Sequence, residues 1–274
     1  MVRARAGARS GANTKNMLLR TCRKKRCEIL PGKSYGAFTL IELLVVVAII
    51  ALLMSILMPA LSKVKNQTKA VICQSNLHQW AFVMKMYTDD NYGLFMQELG
   101  LSRPNLRAYY KDDRLLLCPM AVKSYEEGAR PPFAAHYYYD GLSSYGHNSW
   151  ICSEVAAALQ TDDKMWKTIN VRGGGFIPMI FDCAGFQNAS PWHVDEPPTY
   201  DGEFIEGTSL NEMRYVCLNR HNEHVNMLFL DFAVRRVGLK ELWELKWHRN
   251  WNPTNEPPPD WPEWMAHMRD YYVP

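Results

Sequence analysis

The stretch that decides the reading is Ser34–Leu61, SYGAFTLIELLVVVAIIALLMSILMPAL. From Leu43 to Met58 it runs for sixteen residues with no charge and a single Ser. Adding FTLI on the far side of Glu42 gives roughly twenty residues, the length at which a helix crosses the hydrocarbon core of a bilayer. A helix buried in a soluble core can be as apolar, but it normally keeps a polar stripe, and this run has none. A membrane-spanning helix is therefore expected. Its one carboxylate, Glu42, lies near the start, where a charge is usually paired, functional, or placed at the interface so that it snorkels.

Outward from this run the charge is uneven. Ten of the 31 bases and one of the 28 acids fall in residues 1–37, which leaves 21 bases against 27 acids, a net of −6, in the remainder. The whole-chain value of +3 thus reflects a basic leader. Electrostatic binding to DNA needs a positive working surface, so no nucleic-acid partner is expected. The basic flank before the apolar run, with no small-residue cleavage site after it, places the N-terminal side in the cytoplasm. At 274 residues and 47% hydrophobic the chain is large enough to bury a core.

Beyond Pro59, which a membrane helix tolerates as a kink, the pattern continues. Leu61, Val64, Thr68, Val71, Leu77, Ala81, Met84 and Tyr87 recur at helical steps and predict an amphipathic helix ending near Asp89-Asp90-Asn91 and Gly93. Residues 94–274 are rich in turn signals such as SRPN, RGGG and EPPTYDG. Short strands are expected at 176–182, 213–218, 225–231 and 233–238.

In order, the basic leader, the small residue, Phe38-Thr39-Leu40, Glu42, the apolar run and Pro59 resemble the cleavage and methylation segment of type IV prepilins and of type II secretion pseudopilins. The resemblance implies an α+β, pilin-like fold in which a long N-terminal helix, its first half membrane-spanning, packs on an antiparallel sheet domain. It implies a leader at 1–37, a transmembrane half-helix at 38–61, an amphipathic half at 62–93 and a soluble domain at 94–274. A prepilin peptidase would cut before Phe38, the new amine would be methylated, and Glu42 would pair with the N-terminal amine of a neighbouring subunit. The segment reads Gly36-Ala37-Phe38 rather than Gly-Phe. Cutting after Ala37 keeps Glu42 in register, and cutting after Gly36 is the alternative. Met1 or Met17 is the true start.

A second resemblance, to large pilin-like proteins of planctomycete and related bacteria, rests on SNLHQW, LLLCPM, SYGHN and RHNEHVNMLFLDFAV. It includes a His, nine residues, then Asp-Gly; here His221 and Asp231 keep the spacing and Phe232 replaces the Gly. These resemblances imply a structural filament subunit and not an enzyme. It would sit in the bacterial inner membrane with its C-terminal domain periplasmic, then in a filament or at the cell surface. Its partners would be prepilin peptidase, other pilin or pseudopilin subunits and the assembly platform. The alternative is a membrane-anchored minor-pilin or adhesin-type module that grips glycans or secreted cargo through Trp and Tyr side chains.

Cys22 and Cys27 would leave with the leader, and the five remaining cysteines would face an oxidising compartment. Cys73 and Cys118 are the favoured disulfide pair. With no close CxxC, no zinc site is expected. His221, His224 and Asp231 read as hairpin hydrogen-bonding groups ahead of metal ligands or an acid-base pair. Some major pseudopilins bind calcium in a C-terminal loop. Asp195, Glu196, Asp201, Glu203 and Glu206 offer oxygen ligands without the ordered spacing of a calcium loop, so calcium is the one cofactor considered. Trp243, Trp247 and Trp251, four apart, share a face if helical, and such a stripe packs in a core or, if exposed, stacks on a partner. No nucleophile elbow, phosphate loop or HExxH pair is present.

Overall fold

The structure, a computed structural model, describes residues 38–96, 100–138, 141–152, 162–184, 188–192, 194–203, 211–251 and 259–271. Leader positions Gly36 and Ala37, and Glu206, lie outside the described residues. The chain divides into two units, Met1–Leu52 and Leu53–Pro274. Helix α1 (Leu40–Asp90) begins in the first and ends in the second, with Pro59 inside it.

In the first unit the described residues are helical from Leu40, and their side chains are exposed throughout. Among the described residues of the unit nothing covers the apolar run from Leu43 to Leu52, as befits side chains suited to lipid. Helix α1 is long and apolar enough, by length and composition, to cross a membrane once.

In the second unit α1 acquires a buried stripe of Cys73, Leu77, Trp80, Ala81, Val83, Met84, Tyr87 and Thr88. The three- and four-residue steps put these residues on one face. The stripe starts later than the periodicity predicts, because Leu61, Val64 and Val71 are exposed. Cys73 and Trp80, outside the predicted set, carry much of it. Trp80 is fully buried, donates Nε1–H to the Leu115 carbonyl at 2.8 Å and meets the Tyr110 ring edge-on at 4.9 Å. Full burial of side chains of this size stabilises by about 1.5–3 kcal/mol each.

The stripe packs on a five-stranded sheet of order β6-β4-β5-β7-β8. Its strands are β4 (Tyr145–Asn148), β5 (Pro178–Asp182), β6 (Asn188–Ala189), β7 (His224–Phe229) and β8 (Val234–Gly238). Pairings β4/β5, β5/β7 and β7/β8 are antiparallel, whereas the short β6 adds to β4 in parallel. A smaller sheet joins β1 (Lys123–Ser124), β2 (Ala134–Tyr138) and β3 (Gly141–Ser143). Polar contacts fix the seat of the helix: Gln74 donates to Asn226 Oδ1 at 3.0 Å, and Asn76 donates to the Leu117 carbonyl at 3.0 Å.

The architecture is α+β, with the long helix packed on a multi-stranded C-terminal sheet domain. Expected strands at 176–182, 225–231 and 233–238 appear as β5, β7 and β8. The expected strand at 213–218 does not form; Glu212–Tyr215 is a 3₁₀ turn instead. Its apolar members Met213, Tyr215, Val216 and Leu218 are buried all the same, so the run reported burial rather than strand. A similar correction applies to the tryptophans. Only Lys240–Glu244 is helical, and as a 3₁₀ turn, so no α-helical face unites Trp243, Trp247 and Trp251. All three are buried: Trp247 lies edge-on to Phe181 at 5.3 Å, and Trp243 donates to the Asp195 carbonyl at 2.8 Å.

Candidate functional site

Two places carry chemistry. At the start of α1, Thr39 precedes the first helical residue and its carbonyl accepts the Leu43 N–H at 3.2 Å. Its hydroxyl accepts the Glu42 N–H at 3.2 Å, while Glu42 Oε2 accepts the Thr39 N–H at 2.9 Å and its hydroxyl at 2.8 Å. This is a capping box: residues three apart reciprocally satisfy N–H groups that the helix itself leaves unpaired. It was written in the sequence as Thr-x-x-Glu ahead of an apolar run. The carboxylate thus has an intrachain role in the helix start. Phe38, just ahead, is exposed.

The second place is buried where α1 meets the sheet. Cys73 comes from the helix face, Cys118 from the turn after Asp113–Leu116, Asp182 from the end of β5, and His221 from the turn entering β7. That turn bends sharply, with Asn222 and Glu223 both left-handed at φ 56° and 64°. The four ligand atoms lie within 4.8 Å of one another. His221 Nε2 is 3.1 Å from Asp182 Oδ2 and 3.4 Å from Cys118 Sγ. Cys73 Sγ is 3.6 and 3.7 Å from the two Asp182 oxygens, and the Tyr145 hydroxyl donates to it at 3.2 Å. All five residues are buried.

Arg220 frames the cluster. Its fully buried guanidinium donates to the Pro132 carbonyl at 2.7 Å, the Ser144 carbonyl at 2.8 Å, Asp182 Oδ1 at 3.1 Å, the Cys183 carbonyl at 3.1 Å and the Ala134 carbonyl at 3.5 Å. Five donors meet five acceptors, the full capacity of an arginine. The side chain therefore ties the start of β2, the β3–β4 junction and the end of β5 together while neutralising Asp182.

The electrostatics follow from these neighbours. Burial alone would raise the Asp182 carboxyl, but the charge and hydrogen bond of His221, the Arg220 charge and the Asn226 N–H (2.9 Å) hold it well below the usual range. Burial lowers His221, yet the Asp182 charge and hydrogen bonds with Asp182 and Cys118 lift it to about 9. Burial pushes the Cys73 thiol well up. Cys118 is also raised by burial, but hydrogen bonds with Cys73 and His221 and the Arg220 charge bring it down to about 7. The protein sustains a thiolate at Cys118 more readily than at Cys73.

The other sequence candidates fall elsewhere. Asp231 is exposed and its Oδ1 accepts the Ala233 N–H at 3.0 Å in the β7–β8 turn, whereas His221 turns inward to Asp182. Phe232, in the Gly position of the His-x9-Asp pattern, adopts the left-handed conformation that a Gly would have taken, at φ 65°. His224 hydrogen-bonds with the Asn222 carbonyl at 2.7 Å and Arg236 at 3.1 Å. The acids considered for calcium have other partners: Asp195 accepts the Trp192 and Met213 N–H groups, Asp201 the Asn219 N–H, Glu203 the Thr199 N–H and the Arg214 guanidinium, and Glu196 lies 4.0 Å from that same guanidinium. Cys73, Cys118, Cys152, Cys183 and Cys217 are all buried, and none is in a disulfide. Asp182, Arg220 and Tyr145 were not singled out in the sequence, since nothing local links them to Cys73.

Residues 32–58 match the sequence family described as the prokaryotic N-terminal methylation motif. No curated protein and no solved structure matches the chain. The segment is a prepilin-type methylation motif, consistent with a prepilin- or pseudopilin-like protein in general. With helix α1, the one helix among the described residues long and apolar enough to cross a membrane, it supports a membrane-anchored topology.

Proposed function

We propose that the chain is a structural subunit of a type IV pilus-like or type II secretion pseudopilus filament, not an enzyme, processed by prepilin peptidase and assembled through α1. The observation that carries this reading is the methylation motif at 32–58 laid on a helix whose apolar residues stay uncovered as far as Val71. In the membrane lipid covers the first part. In a filament the same surfaces, with Leu61, Val64 and Val71, pack against α1 of other copies. Cleavage ahead of Phe38 puts the new amine one residue before the Thr39 that Glu42 caps, so the carboxylate that shapes the helix start also offers a counter-charge to a neighbour's amine. An ion pair in low dielectric strongly favours having that partner over lacking it. The adhesin alternative loses Trp243, Trp247 and Trp251, which are buried, and would rest on exposed aromatics such as Tyr92, Tyr137 and Tyr200. The test is Glu42→Ala in cells that carry the assembly machinery. Normal processing with loss of the sheared filament fraction is expected; undiminished filaments would refute the assembly role of Glu42.

A further inference from the structure

The buried cluster has no part in that reading, and its geometry meets the requirements of a metal site. We propose that Cys73, Cys118, Asp182 and His221 form a four-coordinate structural zinc site that clamps α1 to the sheet. With bonds of about 2.3 Å to sulfur and about 2.0–2.1 Å to nitrogen and oxygen, the edges of a zinc tetrahedron measure about 3.3–3.8 Å. The nearest ligand-atom contacts here are 3.1 Å for His221 to Asp182, 3.4 Å for Cys118 to His221 and 3.6 Å for Cys73 to Asp182. Three of the six edges are thus near metal-bound spacing, and every pair of ligand atoms lies within 4.8 Å. Two sulfurs, an imidazole and a carboxylate are the ligand types of tetrahedral zinc sites and favour zinc among the common divalent ions.

Charge and surroundings agree. Two thiolates, one carboxylate and Zn²⁺ sum to −1, and the buried Arg220 guanidinium on Asp182 Oδ1 brings the site to neutrality. Outer contacts orient the ligands as metal sites require: the Tyr145 hydroxyl holds Cys73 Sγ, and the Asn226 N–H holds Asp182 Oδ2. Four protein ligands in a fully buried setting leave no open position, so the role is structural. Sequence spacing hid the site, because its ligands come from four separate segments rather than a CxxC pair. It also competes with the expected Cys73–Cys118 disulfide, which would consume two of the ligands.

The test uses the full chain, purified in detergent without chelator. Elemental analysis is expected to give one zinc per chain. After reduction, chelation and addition of cobalt, a thiolate-to-cobalt charge-transfer band with the intense visible bands of tetrahedral cobalt is expected. Cys118→Ser should abolish the charge-transfer stoichiometry, and Tyr145→Phe, which keeps all four ligands, should weaken cobalt binding by about tenfold or more. Failure of the reduced wild-type chain to take up either metal overturns the proposal. So does a Cys73–Cys118 disulfide in the zinc-free isolated protein, or full zinc retention by Cys118→Ser. None of these outcomes bears on the filament reading.

Discussion

Replacing Arg220 with Met removes a fully buried guanidinium and strands everything it holds. Asp182 loses the ion pair at 3.1 Å, and the carbonyls of Pro132, Ala134, Ser144 and Cys183 lose their donor. Breaking a buried pair from one side costs about 3–5 kcal/mol, and each stranded carbonyl adds on the order of 1 kcal/mol where nothing replaces the donor. A loss of about 5 kcal/mol or more follows, comparable with the whole stability of an ordinary domain at about 5–15 kcal/mol. Denaturant titration of the detergent-solubilised chain, read by Trp fluorescence, measures it. Arg220→Lys should recover less than half, because an ammonium has three donors and no planar fork with which to reach five acceptors. A loss below about 1 kcal/mol for Arg220→Met, a small effect for a buried ion pair, or full rescue by Lys, would show that this residue does not fasten β2, the β3–β4 junction and β5.

Three further outcomes are expected. Burial raises the Asp195 carboxyl to about 6 despite hydrogen bonds from Trp192 and Met213; the folded state then holds its proton more tightly than the unfolded chain, so this group's contribution to stability falls as pH rises from about 4 to about 6. Asp195→Asn should remove that slope, and parallel pH curves for parent and variant would contradict it. Gly146→Ala would put a Cβ 2.8 Å from Cys183 Cβ and 2.9 Å from its Sγ, costing about 1–3 kcal/mol of overpacking, and an unchanged melting temperature would count against it. At Phe232, φ 65° strains any side chain, so Phe232→Gly should exceed Phe232→Ala in stability by about 1 kcal/mol; equal denaturation midpoints would show that the turn carries no such strain.

How much of this could be read in the sequence depended on the range of the interaction. The helix and its end near Asp90 were legible because a 3.6-residue repeat and the terminal Asp, Asn and Gly are local signals. The buried stripe was legible only in part: a sequence shows which face is apolar, but not that the sheet begins to cover it at Cys73 rather than Leu61. The run at 213–218 and the Trp series at 243–251 announced burial correctly and secondary structure wrongly, since large apolar side chains fill a core from a 3₁₀ turn as well as from a strand or helix. The mixed sheet arose because β6 is a two-residue parallel addition with no periodicity to detect. His221 stood out through its nine-residue spacing to Asp231, yet its chemistry lies with Asp182 across the β5–β7 pairing. Strand register brought these residues together, and no local pattern encodes it. The Thr39–Glu42 box is fully local, a Thr-x-x-Glu ahead of an apolar run, and so is legible in the sequence.

On the proposed reading the chain enters the prepilin pathway through Phe38 and Glu42. N-terminal mass spectrometry of the membrane-extracted protein, with and without a co-expressed prepilin peptidase, tests it most directly. The account predicts a peptide beginning with N-methylated Phe38 only when the peptidase is present. An intact basic leader despite an active peptidase would contradict it.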